Sequence, residues 1–274
     1  MRKGLIFMFM VGFLVFTSIV SFAKELVIVG STTVLPIAQR IAEAYMKEHP
    51  EVKISVSGGG SGVGIKALID GTCDIADSSR FIKFKEIKMA IKKGRYPVPF
   101  AIAYDAIIPI VHPSNPVNNL TLDQLKKIYT GRIRNWKEVG GPNKRIVVIS
   151  RDTSSGTYEI WEEKVMRKSR VFPGALLQAS NGAVREVVSK NRYSIGYIGI
   201  GYLSKDVKPL KVNGVMGNVE NVLNGKYPIA RPLFMFTDGW PKKDVLNFIF
   251  YVLNPNKGQK LILKLGFIPL YMIE

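Results

Sequence analysis

Three short segments of the chain place glycine and small hydroxyl residues directly before a predicted helix. They are Gly30-Ser31-Thr32-Thr33, Gly58-Gly59-Gly60-Ser61-Gly62 and Ser154-Ser155-Gly156-Thr157. A helix N-terminus exposes unpaired backbone N–H groups and carries about half a positive charge, so it attracts anions. Glycine lets those N–H groups approach a ligand, and hydroxyls donate further hydrogen bonds. The three segments are therefore candidate anion-binding turns, although serine and threonine are also preferred for ordinary helix capping.

Two arginines lie beside these turns. Arg80 follows Ser78-Ser79 at the end of a predicted strand, and Arg151 precedes Ser155 by four residues. A planar guanidinium can donate two hydrogen bonds to two oxygens of one oxyanion. A surface ion pair is the other interpretation of Arg151. Because three such turns occur in one chain with flanking arginines, their convergence on a tetrahedral oxyanion is the favoured interpretation.

The elements that must position these turns alternate between strand and helix. Short apolar runs at 25–30, 52–57 and 74–78 predict strands, and residues at helical spacing follow the first two. The segment 83–93 predicts another helix, and 98–111 predicts a long β-rich stretch that could cross between lobes. This alternation predicts parallel sheet, in which ligands collect at the carboxyl ends of the strands. All three turns lie at such ends.

The second half of the chain predicts another α/β unit. Thr121-Leu122-Asp123-Gln124 has the form of a capping box and opens a helix that ends near Gly131. Strands are expected at 145–150 and 193–200. Helices are expected at 154–168, 181–190, 244–254 and 257–265.

The first 23 residues predict a cleavable secretory signal peptide. Arg2 and Lys3 precede an apolar run at 5–20, and Ser21-Phe22-Ala23 offers a cleavage site. A retained membrane anchor is the alternative, but the run is short for a bilayer span. The single cysteine, Cys73, is far from the cleavage site, so we expect an exported, periplasmic protein without a lipid anchor or internal disulfide.

The formal net charge of +18 favours anionic partners. The lysines are scattered over predicted helix faces and are not interleaved with aromatic residues, so we expect no nucleic-acid partner. No cluster of His, Cys and Asp has the spacing of metal ligands, and we expect neither a metal nor a cofactor.

An ordered series of motifs resembles the phosphate-binding proteins of bacterial ABC importers, in their shorter branch. The series is Gly30-Ser31-Thr32, Gly60-Ser61-Gly62, Ser78-Ser79-Arg80, Asn119-Leu120-Thr121, Ile128-Tyr129-Thr130-Gly131, Asn135-Trp136, Arg151 through Thr157, and Ile195-Gly196-Tyr197-Ile198. The resemblance covers nearly the whole chain after the signal peptide.

The resemblance implies an α/β, two-lobed periplasmic-binding-protein fold of type II, in which the lobes close on the anion like a Venus flytrap. The first lobe would comprise 24–104 and 203–274, and the second lobe 105–202, with crossings near 103–104 and 199–202. The protein would be a monomer that delivers phosphate to membrane permease subunits. The implied phosphate ligands are Ser31, Thr32, Thr33, Ser61, Ser79, Arg80, Arg151, Ser155, Gly156 and Thr157.

One position departs from the best-known members of that family. They carry an aspartate in the turn after the third strand, which accepts the proton of hydrogen phosphate and repels sulfate, whereas this chain has Ser79. A hydroxyl can accept a hydrogen bond but carries no charge. Arg80 could then contact the anion directly. Asp77 is the alternative acceptor, although an ordinary role at a strand end is the favoured interpretation.

Two other functions remain as alternatives. The first is a binding protein for sulfate, molybdate, tungstate or arsenate. The second is a phosphatase or other hydrolase that uses Ser61 or Ser155, but Gly59-Gly60-Ser61-Gly62-Val63 lacks the last glycine of a nucleophile elbow. Only His49 and His112 could act as the base, so we expect binding and not catalysis.

Overall fold

A computed structural model describes residues 25–271 of the protein. The predicted signal peptide at 1–23 lies outside these residues. As predicted, strands and helices alternate up to a long central strand. In order, they are β1 (Leu26–Gly30), α1 (Leu35–Glu48), β2 (Ile54–Ser57), α2 (Ser61–Asp70), β3 (Ile75–Ser78), α3 (Phe84–Lys92) and β4 (Pro97–Val111).

The remainder of the chain continues the alternation with shorter elements. They are β5 (Asn119–Leu120), α4 (Leu122–Tyr129), β6 (Val147–Arg151), α5 (Gly156–Lys164), β7 (Leu176–Gln178), α6 (Asn181–Lys190), β8 (Ser194–Gly199), β9 (Lys208–Pro209), β10 (Lys211–Val212), α7 (Val219–Leu223), β11 (Ala230–Asp238), α8 (Lys243–Leu253) and α9 (Gly258–Lys264). Single turns of 3-10 helix lie at Trp136–Val139 and Ile200–Tyr202.

Local chemistry explains where these helices begin and end. The predicted capping box opens α4, since Thr121 Oγ1 accepts from the N–H of Gln124 at 3.0 Å and Gln124 Oε1 accepts from the N–H of Thr121 at 2.9 Å. The helix stops before Gly131, which has a left-handed φ of 74°. In α1, Ile37, Ile41 and Tyr45 recur at four-residue spacing and are buried on one face.

One curved sheet runs through the molecule in the order β2-β1-β3-β11-β4-β8-β6-β7, with β9 also paired to β4. β1 is parallel to β2 and β3, and β6 is parallel to β7 and β8. β11 is antiparallel to β3 and to the first part of β4, and β8 is antiparallel to the last five residues of β4. β4 therefore crosses between two lobes, as its apolar sequence suggested.

Each lobe has its own hydrophobic core. The core of the first lobe includes Ile28, Ile75 and Phe248, and the core of the second lobe includes Trp161 and Tyr197. The rings of Trp161 and Tyr197 stack at 4.2 Å between centroids. Within residues 25–271, no helix combines the length and apolar character needed to cross a bilayer.

The boundary between the lobes differs from the sequence-based one. Residues 203–229 were expected in the first lobe, but Leu210, Tyr227 and Ile229 are buried in the core of the second. The reason is that β9 pairs with the end of β4 and β10 pairs with β5. The chain therefore returns to the first lobe at Ile229–Arg231, where β11 begins, and not near 199–202.

Candidate functional site

The first predicted turn follows β1 and opens α1. Gly30 has a φ of 149°, and a Cβ added there would lie 2.1 Å from the carbonyl oxygen of Asp77, so the turn requires glycine. Ser31 Oγ accepts from the N–H groups of Thr33 at 3.1 Å and Val34 at 3.4 Å. Ser31 thus holds the turn in shape, which is the ordinary capping role that the sequence left open.

The second turn brings the N-terminus of α2 beside the first. The N–H of Gly60 donates to the carbonyl of Gly30 at 2.9 Å. Ser61, the first residue of α2, is fully buried. Its Oγ accepts from the N–H of Ser79 at 3.0 Å and lies 3.2 Å from Ser79 Oγ. The second turn and the segment after β3 therefore present a pair of hydroxyls at one edge of the sheet.

The third turn reaches this pair from the second lobe. Ser155 caps α5, because its Oγ accepts from the N–H of Tyr158 at 3.2 Å. A Cβ added to Gly156 would lie 2.4 Å from Ser61 Oγ and 2.7 Å from Ser79 Oγ. The backbone at the N-terminus of α5 thus approaches the two serines as closely as glycine alone permits.

The two lobes are in contact around these turns. Thr33 Oγ1 of the first lobe lies 3.0 Å from Thr157 Oγ1 of the second. The N–H of Gly62 donates to the carbonyl of Ser154 at 3.0 Å, and Ser154 Oγ lies 3.1 Å from the carbonyl oxygen of Gly59 in the second turn. The N-termini of α1, α2 and α5 therefore meet at the lobe interface in a closed arrangement.

Arg151 ends the strand that leads into α5. Its Nε donates to the carbonyl of Gln178 and its Nη2 to the carbonyl of Ala179, both at 2.9 Å. Nη1 is buried and has no partner within residues 25–271. Burial lowers the pKa of Arg151 and the negative charge of Asp152 opposes that change, but a guanidinium keeps its proton at neutral pH. A fixed positive charge with an unused donor is well suited to an anion.

Asn181 bridges the lobes at the start of α6. Its Nδ2 donates to Thr32 Oγ1 at 3.2 Å and to Thr33 Oγ1 at 3.0 Å, and its Oδ1 accepts from the N–H of Gly199 at 3.2 Å. The contact with Gly199 assigns the orientation of the amide. The side chain is fully buried.

Arg231 and Asp105 form a buried ion pair where the two strands cross between the lobes. Arg231 Nε and Nη2 lie 3.0 and 2.8 Å from Asp105 Oδ2, and the N–H of Ile200 donates to Asp105 Oδ1 at 2.9 Å. One N–H of Arg231 Nη2 faces Asp105, and the other is shared between Thr33 Oγ1 at 3.2 Å and Thr157 Oγ1 at 2.9 Å. One arginine at the crossing therefore contacts a hydroxyl from each lobe.

Comparison with known proteins assigns the fold to a family. Residues 21–256 match the family model described as a PBP superfamily domain. The chain is 35% identical over 251 residues to the phosphate-binding protein PstS of Borreliella burgdorferi, covering 87% of this chain and 88% of that protein. It is also 35% identical over 244 residues to PstS of Staphylococcus epidermidis, covering 84% and 74% of the two. This chain belongs to the PstS family of phosphate-binding proteins.

A solved structure agrees with this membership of the PstS family. A substrate-binding protein from Clostridium perfringens with bound phosphate superposes with a TM-score of 0.84 at 35% identity, covering 90% of this chain and 100% of that one. Members of the family are exported substrate-binding proteins with the two-lobed type II fold. The predicted fold class and family resemblance are thereby confirmed.

The residues predicted to bind the anion fall into two groups in this PstS-family chain. The larger group lies on the turns that meet at the lobe interface, on the segment after β3 and at the end of the strand that leads into α5. It consists of Ser31, Thr32, Thr33, Ser61, Ser79, Arg151, Ser155, Gly156 and Thr157. Arg80 forms the second group alone. Among residues 25–271, no three His, Cys, Asp or Glu side chains are grouped as a metal site.

The guanidinium of Arg80 is engaged by carboxylates and not turned toward the threonines. Nη1 and Nη2 donate to Glu86 Oε2 and Oε1 at 2.8 and 2.7 Å, and Nε lies 2.9 Å from Glu159 Oε2 of the second lobe. Lys83 Nζ reaches the same oxygen of Glu159 at 2.6 Å. Burial would raise the pKa of Glu86, but hydrogen bonds from Arg80 and the Lys83 backbone lower it. Arg80 therefore joins the lobes as an ion pair, which differs from the predicted contact with the anion.

Asp77 does not take part in the hydroxyl cluster. It lies within β3, opposite Gly30 on β1 and Met235 on β11, and is 1% exposed. Neither carboxyl oxygen has a hydrogen-bond partner within the described residues. Burial raises the pKa of Asp77 well above its usual range.

Sequence reasoning missed Asn181, Asp105 and Arg231. Asp105 carried a signal, because a charged residue interrupts the otherwise apolar stretch 98–111. Its partner Arg231 is 126 residues away and faces it only through the antiparallel register of β11 on β4. Asn181 carried none, since asparagine is common at the start of a helix.

Proposed function

We propose that this protein captures inorganic phosphate between its two lobes and delivers it to the permease subunits of an ABC importer. One observation carries the proposal: the N-terminus of α5, preceded by the buried Arg151, packs directly against Ser61 and Ser79 of the other lobe. Backbone N–H groups, hydroxyls and a guanidinium are the donors that a phosphate requires. Its relatives include proteins that are named phosphate-binding protein PstS.

The proposed mechanism is closure of the lobes about the two crossings, near Asp105–Ile107 on β4 and Ile229–Arg231 at the start of β11. Ser61 and Ser79 come from the first lobe, whereas Arg151, Gly156 and Thr157 come from the second. An anion that touches both sets binds the closed form better than the open form and so shifts the population toward closure. Exclusion of water strengthens each of these charge-assisted contacts.

Binding without turnover is favoured over hydrolysis at Ser61 or Ser155. The chain has two histidines. His49 stacks on Tyr45, and His112 Nδ1 pairs with Ser114 Oγ at 2.8 Å. Neither imidazole contacts a serine of the cluster among the described residues, so neither is placed to remove a proton from a serine nucleophile.

Export as a monomer into the periplasm, after removal of a signal peptide at 1–23, completes the proposal. A signal segment is consistent with the exported family to which the chain belongs. The excess of basic residues suits a protein that collects anions by electrostatic attraction.

Calorimetric titration of residues 24–274 with phosphate, arsenate, sulfate and molybdate tests the proposed ligand. We expect phosphate to bind with a Kd of about 1 µM or lower, arsenate within about tenfold of it, and sulfate far more weakly. Arsenate is nearly isosteric with phosphate and carries the same number of protons. Equal affinity for sulfate and phosphate would refute phosphate as the selected ligand. Release of phenolate from a chromogenic phosphate ester would instead support the hydrolase alternative.

A further inference from the structure

The ion pair of Arg231 and Asp105 lies directly behind two threonines of the proposed phosphate site. Arg231 is 3% exposed and Asp105 is fully buried. A buried ion pair costs desolvation free energy and is seldom a gain for stability alone. Its position against Thr33 and Thr157 points to a role in the site.

The hydrogen bonds on Thr33 fix the direction of its hydroxyl proton. A threonine hydroxyl has one proton to donate and two lone pairs to accept with. Thr33 Oγ1 faces Arg231 Nη2 at 3.2 Å and Asn181 Nδ2 at 3.0 Å. Guanidinium and amide NH2 groups only donate, so both lone pairs of Thr33 are used. The remaining proton is donated to Thr157 Oγ1, 3.0 Å away.

Counting lone pairs and protons in the same way shows that the Thr157 hydroxyl is available only as a hydrogen-bond donor. Its Oγ1 accepts from Arg231 Nη2 at 2.9 Å and from the hydroxyl of Thr33. Both lone pairs of Thr157 Oγ1 are then occupied, and only the hydroxyl proton remains available for a hydrogen bond. An oxyanion oxygen on this side of the site meets donors alone.

We propose that Arg231, held by Asp105, is a positioning residue: it turns the Thr33 hydroxyl toward Thr157 and so leaves the Thr157 hydroxyl with only its proton to present to the bound anion. The inference rests on the proposed phosphate site. A deprotonated phosphate oxygen can accept a hydrogen bond on this side of the site. A P–OH group directed there would place two hydrogen-bond donors face to face. The phosphate dianion carries one proton and can bind with that proton directed away from this side of the site. The monoanion carries two protons, so fewer of its orientations place a deprotonated oxygen here.

Other titratable groups face the pair and bear on its pH dependence. They are Arg151, Tyr197, Tyr202 and Tyr227. Burial raises the pKa of all three tyrosines, so these keep their protons at neutral pH. Burial also raises the pKa of Asp105, and the attraction of Arg231 opposes that rise. A ligand that does not titrate is therefore needed to separate protonation of Asp105 from protonation of phosphate.

The test compares the affinities for phosphate and monofluorophosphate between about pH 8 and about pH 6. Monofluorophosphate is a dianion without a proton throughout this range, so its affinity reports on the protein alone. For the wild type, we expect phosphate affinity to fall about tenfold relative to monofluorophosphate as the pH is lowered, following loss of the phosphate dianion. A flat ratio would overturn the proposal.

Variants of the pair then assign the effect to Arg231. In Asp105→Asn/Arg231→Met, both threonine hydroxyls can turn to accept, so the ratio should change less than about threefold over the same range. Arg231→Lys keeps a donor and a charge beside the threonines and should retain the wild-type slope. Circular dichroism and thermal melting verify folding, and Asn181→Ala provides a second variant in which Thr33 regains a lone pair and the slope should also flatten.

The outcomes separate this inference from the proposed function. If the wild type binds phosphate but the folded Asp105→Asn/Arg231→Met and Asn181→Ala variants keep the wild-type slope, the positioning role is refuted and the phosphate site stands. If the wild type binds neither ligand, the proposed function fails first.

Discussion

Arg80 Nε of the first lobe lies 2.9 Å from Glu159 Oε2 of the second lobe, and Lys83 Nζ approaches the same oxygen at 2.6 Å. Arg80 is oriented from behind by two hydrogen bonds to Glu86, so its free edge is directed across the interface. α5 thus contributes its N-terminus to the proposed phosphate site and Glu159, one turn later, to an ion pair between the lobes. The ion pair forms only when the lobes meet.

Glu159→Gln should therefore weaken the closed form without changing the residues around the anion. Arg80 and Lys83 lose the charge that they face, and loss of one partner of a desolvated ion pair acts mainly on dissociation. We expect phosphate affinity to fall about threefold to thirtyfold, with most of the change in the dissociation rate, as measured by stopped-flow fluorescence. Glu163→Gln, an exposed residue of the same helix, is the matched control and should behave as wild type.

Gly156→Ala should abolish binding while leaving each lobe folded. The added methyl would lie 2.4 and 2.7 Å from Ser61 Oγ and Ser79 Oγ, which belong to the opposite lobe, so the clash exists only on closure. We expect at least a hundredfold loss of phosphate affinity, equivalent to about 2.7 kcal/mol, by calorimetry. Gly182→Ala near the start of α6 is the control, because its Cβ would meet nothing nearer than 3.8 Å. Phosphate affinity within threefold of wild type in Gly156→Ala would show that closure does not bring these groups together.

Asp77→Asn should stabilise the protein at neutral pH. The folded-state pKa of Asp77 is raised, so the folded state holds a proton that the unfolded state releases above the ordinary pKa. Stability is therefore lost as the pH rises from that ordinary value toward the folded-state pKa. Removing the carboxyl should raise the free energy of unfolding by about 1.4 kcal/mol for each pH unit within this window.

Urea unfolding at about pH 4 and about pH 7.5 checks the Asp77 prediction. The variant and the wild type should differ little at the lower pH and increasingly at the higher one. Asp206→Asn, on the exposed surface, should show no such divergence. A constant difference at both pH values would mean that Asp77 is ionised in the folded protein.

The sequence predicted much of this architecture because the relevant signals are local. Glycine followed by hydroxyl residues marks a helix start, and the capping box of Thr121 and Gln124 fixed α4 within one turn. By contrast, the helix expected at 154–168 ends at Lys164, and Arg167 and Lys168 adopt left-handed φ values of 48° and 62°. Periodicity does not reveal where the chain leaves a helix to satisfy tertiary packing.

Features that depend on register between distant strands were not predictable. The pairing of Arg231 with Asp105 requires β11 to lie antiparallel on β4, and the lobe boundary depends on the two-residue strands β9 and β10. Strands of two residues are too short to show the alternation of apolar and polar residues that predicts a strand. Arg80 shows the same limit, since a basic residue beside an anion turn cannot be distinguished by sequence from one that faces Glu86 and Glu159.

In the proposed complex, phosphate is held between the lobes by Arg151 and by the N-termini of helices from both. Calorimetric titration of wild type and Arg151→Ala with phosphate tests this binding mode, with the exposed Arg40→Ala on α1 as the control. We predict tight binding by wild type and by Arg40→Ala, and a loss of about 2 to 5 kcal/mol for Arg151→Ala. A loss smaller than about 1.4 kcal/mol, or tenfold, in a folded Arg151→Ala protein would show that Arg151 does not hold the anion.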